Sequence, residues 1–181
     1  IGQLYFKQKS SWSNASKAVK VILAKHTGIN LSKAAIFDGS GLSRYNLITP
    51  HQLTSLLAFL HQQFPISYEF ISALPIGGRD GTLKNRFLIG QQRAMVRAKT
   101  GSMLGVISLA GYLPTKNNHL LAFSMMINNI SGQSSRSLYK YRRLEDQICQ
   151  YLLKANLWKT ILSPSKGKGK LLPFQQKQSE S

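Results

Sequence analysis

Cysteine occurs once in the 181 residues, at Cys149, and acidic residues only six times. A single cysteine excludes an intrachain disulfide and leaves the redox compartment open. Cys149 lies among Ile148, Tyr151 and Leu152 in a helical pattern, the setting of a buried small hydrophobe rather than a reactive thiol. Against the six acids stand 24 Lys and Arg, for a net charge of +18. Such a charge attracts nucleic acid, an anionic membrane surface or an acidic cell-wall polymer, without choosing among them. A long apolar run is also missing. The longest uncharged apolar stretch, Thr100 to Thr115, carries three glycines and Pro114, too short and too broken to span a bilayer. The chain opens Ile1-Gly2-Gln3 without Met, and no charged segment leading into an apolar one is visible there. The expectation is that processing or truncation removed the natural start.

Metal and nucleotide chemistry have little to draw on. His26, His51, His61 and His119 show no ligand spacing, and carboxylates are few. No metal and no cofactor is expected. Gly77, Gly78 and Gly81 are not followed by Gly-Lys-Ser/Thr, so they form no phosphate loop. No nucleic-acid signature and no internal repeat occurs, and nucleic acid is not an expected partner.

What is present is a globular composition, 43% hydrophobic and 17% charged, and enough chain for one core. Residues 1–162 read as folded. Residues 163–181, with Lys-Gly-Lys-Gly-Lys and a Gln/Ser-rich end, read as a disordered basic tail.

Asn14 to His26 is amphipathic, with Ala15, Val19, Ile22 and Leu23 on one face and Gly28 as its stop. Ala34 to Phe37 reads as a strand or an extended lead-in to the loop Asp38-Gly-Ser-Gly-Leu-Ser-Arg44. Asp-Gly favours a tight turn, so Asp38 reads as a turn-former, with Ser40 and Ser43 bonding the same loop. Thr49-Pro50-His51-Gln52 has the form of a capping box with proline at the first helical position. It starts a helix carrying Leu53, Leu56, Leu57 and Leu60. A shorter helix spans roughly 67–73 and stops before Pro75. A glycine-rich loop over 76–83 follows, with Arg79, Asp80 and Arg86 as an ion-pair cluster beneath the next strand. Three strands are expected at 95–100, 107–113 and 120–128, the last two joined by a turn at Lys116-Asn117-Asn118. The third is apolar nearly throughout, as for a strand covered on both faces. A long helix over 135–157 takes Leu138, Tyr141, Leu144 or Glu145, Ile148 and Leu152 as its apolar stripe.

Lys99-Thr100-Gly101 on a strand has the form of the third motif of serine acyl-transfer sites. Three letters are weak on their own, but the context is ordered. Asp38 to Arg44, Gly81-Thr82-Leu83 with Arg86-Phe87, Arg97 to Gly101, and Ser108-Leu-Ala-Gly-Tyr112 follow one another in the chain. Over roughly 14–155 the chain resembles the C-terminal part of the penicillin-binding protein 4 type of D-alanyl-D-alanine carboxypeptidase/endopeptidase, the class C low-molecular-mass penicillin-binding proteins.

The resemblance implies an α/β (α+β) fold, an antiparallel sheet flanked by helices beside a helical subdomain, here incomplete. It implies hydrolysis of peptidoglycan stem peptides through an acyl-enzyme, in the periplasm or bacterial cell envelope. Lys99 would supply the cation for the substrate carboxylate and Thr100 its hydroxyl. Gly101 would let the catalytic helix and substrate approach. The Ser102 N–H would be one oxyanion-hole donor. Arg44 would bind an acidic group of the peptide stem or tie its own loop down, with Asp38 as partner.

The family also needs a Ser-x-x-Lys and a Ser-x-Asn upstream of Lys-Thr-Gly. No Ser-x-Asn occurs here, and Ser137/Lys140, Ser163/Lys166 and Ser165/Lys168 all follow Lys99, so they read as coincidence. The expectation is a C-terminal piece that lacks its nucleophile. Its partners would be peptidoglycan, β-lactams and the missing N-terminal half, with peripheral membrane contact and homo-oligomerisation left open. A non-catalytic basic module that binds polyanions is the alternative.

Overall fold

The computed structural model describes residues 2–7, 9, 11–88, 93–131 and 135–156. The 163–181 tail lies outside them, as do residue 157 and the side chains of Ser137, Ser163 and Ser165. Helix α1 (Gly2–Phe6) leads into α2 (Trp12–Thr27). Ser11 caps α2 by accepting the Asn14 N–H at 3.2 Å, and Gly28 ends it at φ 68°, a left-handed conformation that glycine adopts without strain. Ala18 of α2 is fully buried, and the Lys20 ammonium donates to the Ala34 carbonyl at 2.8 Å. The 34–37 segment makes one bridge, Ala35 to Leu47, rather than a strand.

Helix α3 (Pro50–His61) starts on the expected capping box: Gln52 N–H donates to Thr49 Oγ1 at 3.1 Å, and Thr49 N–H donates to Gln52 Oε1 at 3.0 Å. Helix α4 (Ile66–Ser72) and a single 3₁₀ turn (Gly81–Leu83) follow. Three strands, β1 (Arg97–Met103), β2 (Val106–Pro114) and β3 (Leu120–Ile127), form one antiparallel sheet in the order β1-β2-β3. Helix α5 (Ser135–Lys154) closes the described chain. The Thr115–His119 turn joins β2 to β3, with Asn118 at φ 58°.

Strand alternation sorts the sheet into two faces. Ala98, Leu109, Leu113 and Phe123 point to one side and pack with Leu83, Phe87, Val96 and Cys149 of α5. Fully burying one such large apolar side chain contributes roughly 1.5–3 kcal/mol, so this side carries the core. On the other side Tyr112 Oη donates to the Leu57 carbonyl of α3 at 2.7 Å. The sheet therefore lies between α5 and α3. The deepest burial falls on β2, the middle strand, while β3 is an edge strand whose residues are mostly half-buried.

Two expectations need correction. The apolar stripe of α5 runs through Glu145 and Cys149 to Leu152 and Leu153, while Leu144 and Ile148 are exposed. A carboxylate takes the inward position because a cation meets it there. That cation is Arg86, which pairs with Glu145 and Asp146 rather than joining a cluster with Arg79 and Asp80. Asp80 instead accepts the Ile76 N–H at 2.6 Å and shapes its own turn. The glycine loop and the Pro75 before it are joined to β1 and to the residues leading into it by backbone bonds: Gly77 N–H to Val96 O at 2.8 Å, Ala94 N–H to Gly77 O at 2.8 Å, and Ala98 N–H to Pro75 O at 3.0 Å.

Candidate active site

The Ala98–Pro75 bond fixes the polarity of β1. In an antiparallel pair, successive residues send their backbone groups alternately toward and away from the neighbouring strand. Ala98 points away from β2, so the N–H and C=O of Thr100 and Ser102 point away as well. Beyond the single Ile76–Arg97 bridge, no strand among the described residues pairs with that edge. β1 therefore presents Thr100 and Ser102 along an open edge.

The five expected site residues gather at this strand. Lys99 is exposed, and its ammonium donates to the Thr100 carbonyl on the open edge at 2.8 Å. Thr100 is half-buried opposite Leu109, and its side chain leaves on the α5 face, opposite to Lys99. Gly101 faces Ser108, whose Oγ occupies the space that a Cβ at Gly101 would need. Ser102 is exposed. The Arg44 guanidinium crosses to the β1–β2 turn and donates to the Leu104 carbonyl at 2.7 Å. That turn is also held by Ile130, whose N–H donates to Gly105 O at 3.0 Å. Arg44 thus ties its loop to the end of β1 and not to Asp38.

Asp38 organises the loop that carries Arg44. Its carboxylate accepts from Gly41 N–H at 3.0 Å, Ser43 N–H at 2.8 Å, Ser40 Oγ at 3.1 Å and Asn46 Nδ2 at 2.8 Å. Asn46 returns the favour through Oδ1, which accepts the Phe37 and Asp38 N–H groups. The Asn46 amide, with smaller help from the loop donors, holds the Asp38 carboxyl below its ordinary range. The turn-forming role read from Asp-Gly is what the loop shows.

Behind the strand, burial pushes the Glu145 carboxyl up, with Arg86 opposing the shift. The Cys149 thiol is pushed up to about 12, chiefly by burial, so it is protonated and inert at neutral pH. Among the described residues no group of His, Cys, Asp and Glu could hold a metal ion. No described helix is long and apolar enough to cross a membrane. A shallow depression of about 680 Å³ lies against Gln3, Leu4, Lys7 and Lys9 and shares no residue with the β1 edge.

Two residues escaped the sequence reading. Asn46 carried no signal beyond its place near a turn. Arg142 had none, because its neighbour Ser102 is forty residues away.

The model of the D-Ala-D-Ala carboxypeptidase 3 (S13) family matches residues 1–145. The D-alanyl-D-alanine carboxypeptidase DacB of Haemophilus influenzae is 37% identical over 129 residues, 70% of this chain and 26% of that protein. A D-alanyl-D-alanine carboxypeptidase of an Actinomadura species is 37% identical over 110 residues, 58% of this chain and 20% of that protein. Penicillin-binding protein 4 of H. influenzae, solved with a β-lactam, superposes with a TM-score of 0.77 at 31% identity, covering 86% of this chain and 36% of that one. The chain spans about a quarter of the length of the curated relatives it matches. Family match, identity and fold agree, and the chain belongs to the D-Ala-D-Ala carboxypeptidase 3 (S13) family.

Proposed function

We propose that this chain supplies the carboxylate-holding strand of a serine D-Ala-D-Ala carboxypeptidase/endopeptidase acting on peptidoglycan stem peptides. The attacking serine would come from polypeptide outside these 181 residues. The observation that carries the reading is the open edge of β1, with Thr100 and Ser102 backbone groups facing outward and the Lys99 ammonium folded over it.

The chemistry follows from that edge. A stem peptide ends in a carboxylate, which lies along the strand between the Lys99 ammonium on one face and the Thr100 hydroxyl on the other. The serine oxygen attacks the penultimate carbonyl carbon, its proton passes to a lysine base, and charge builds on the carbonyl oxygen. The Ser102 N–H donates to that oxygen, a contact worth roughly 3 kcal/mol in the transition state. The C–N bond breaks, D-alanine leaves with the proton, and water then hydrolyses the ester. A β-lactam would enter by the same route and stop at the acyl-enzyme, in keeping with the β-lactam bound to the H. influenzae relative. Arg44, held at the end of β1 by the Leu104 carbonyl, would meet an acidic group of the stem with its remaining donors. A periplasmic or cell-envelope setting is part of this proposal: the bacterial carboxypeptidases the chain resembles support it, and an acidic polymer there suits a +18 chain.

Leu4, Trp12 and Leu42 are 85%, 75% and 78% exposed, which fits surfaces covered by the rest of such an enzyme or by a second copy. The experiment is to mix this chain with the upstream polypeptide of its gene and measure D-alanine release from a D-Ala-D-Ala peptide. The reading expects release that neither piece gives alone. Continued silence of the mixture counts against it.

A further inference from the structure

The Ser102 end of β1 carries a cation that the reaction scheme above does not use. Arg142 of α5 places Nη2 3.5 Å from Ser102 Oγ. The contact is long, so it leaves the guanidinium's donors available to an incoming ligand. The backbone of Arg142 is nevertheless anchored. Arg86 donates to the Arg142 carbonyl at 3.1 Å and to Asp146 at 2.9 and 2.6 Å. A half-buried ion cluster therefore fixes where Arg142 starts, and its exposed side chain reaches to the open edge.

Strand alternation places this guanidinium opposite to Lys99. Ser102 sends its side chain to the α5 face, where Arg142 stands, while Lys99 leaves on the α3 face. Neither cation forms an ion pair among the described residues, where both pairs belong to Arg86; Arg142 feels the Glu145 carboxylate one turn on, but Glu145 is buried and bonded to Arg86. Asp38 is committed to its own loop. An anion lying along β1 would thus meet an ammonium on one face and a guanidinium on the other, with outward N–H groups between them. A guanidinium also offers a planar two-donor fork that matches a carboxylate, which an ammonium does not.

We propose that Arg142 is a specificity-determining residue that, opposite Lys99, selects ligands ending in a free carboxylate at the Ser102 end of β1. The inference rests on the proposed function for its ligand class. It predicts that a peptide ending in D-Ala-D-Ala binds this edge as the acid and not as the C-terminal amide.

The test uses the isotope-labelled 181-residue chain, titrated with acetyl-D-alanyl-D-alanine and with its C-terminal amide while the Ser102 amide resonance is followed. The acid should move that resonance and the amide should not. Arg142→Ala should weaken binding of the acid roughly tenfold, the order expected for one charge-assisted contact in a partly exposed setting. Arg142→Lys should keep part of the affinity. Alanine retains the backbone carbonyl that Arg86 binds, so the unfolding midpoint should stay near that of the parent; Arg142→Gln gives the same answer if alanine does not fold. An Arg142→Ala titration like the parent's, equal binding of acid and amide, or an unmoved Ser102 resonance would overturn the proposal. The readout needs no turnover, so its failure is separable from failure of D-alanine release.

Discussion

Arg86 Nη2 stands 3.0 Å from Glu145 Oε2 and 2.6 Å from Asp146 Oδ1, so one guanidinium meets two of the chain's six acids. Glu145 is 1% exposed, and its Oε1 has no hydrogen-bond partner among the described residues. Removing the cation would strand a buried carboxylate. Arg86→Ala should therefore cost about 3–5 kcal/mol in urea unfolding, whereas replacing Arg86 and Glu145 by methionine together with Asp146→Asn, so that neither carboxylate is left without its cation, should restore most of it. A loss for Arg86→Ala of under about 1 kcal/mol would mean the cluster is solvated and does not anchor α5.

Gly111 makes the closest approach in the sheet. A Cβ there would meet the Arg97 carbonyl oxygen and lie 2.6 Å from Ala98 Cα. Backbone cannot turn aside, so Gly111→Ala should destabilise by roughly 1–3 kcal/mol, read by thermal or urea unfolding. Gly101→Ala meets only Ser108 Oγ, the free end of a side chain that can rotate. It should cost less, and adding Ser108→Ala should relieve it. Equal losses at the two glycines would contradict this ordering.

Alkaline pH should loosen the fold for two nameable reasons. Burial raises Tyr112 from 10.0 to about 12, and Cys149 from 9.0 to about 12. Both groups ionise earlier in the unfolded chain than in the folded one, so their contribution to stability is complete below pH 9 and is lost as pH rises toward 12. Unfolding midpoints measured across that range should fall, and Tyr112→Phe with Cys149→Ala should flatten the fall. A thiol reagent at pH 8 should leave the folded chain unmodified and react fully once it is unfolded.

The elements governed by local chemistry could be read directly. Gly28 ends α2, the Thr49–Gln52 box starts α3, and Asn118 turns β2 into β3, because caps and tight turns depend on neighbours in sequence. Long-range pairings could not. Nothing near Arg86 in sequence points to Glu145 and Asp146, so the nearer Asp80 looked like its partner. For Arg44 the sequence offers Asp38 in its own loop or an acidic group of the stem, yet the guanidinium crosses to Leu104, sixty residues on. The Lys-Thr-Gly triplet marked the strand, but only the register showed that Thr100 and Ser102 face an open edge and that Gly101 also makes room for Ser108.

Covalent labelling by a fluorescent penicillin tests the central claim most directly, applied to this 181-residue chain and to a longer polypeptide that contains it. The longer polypeptide should take the label, Lys99→Ala in it should slow labelling sharply, and the 181-residue chain by itself should stay dark. Label on the isolated chain would show that the attacking hydroxyl lies within it. Labelling of Lys99→Ala at the parent rate would show that the β1 edge does not hold the carboxylate.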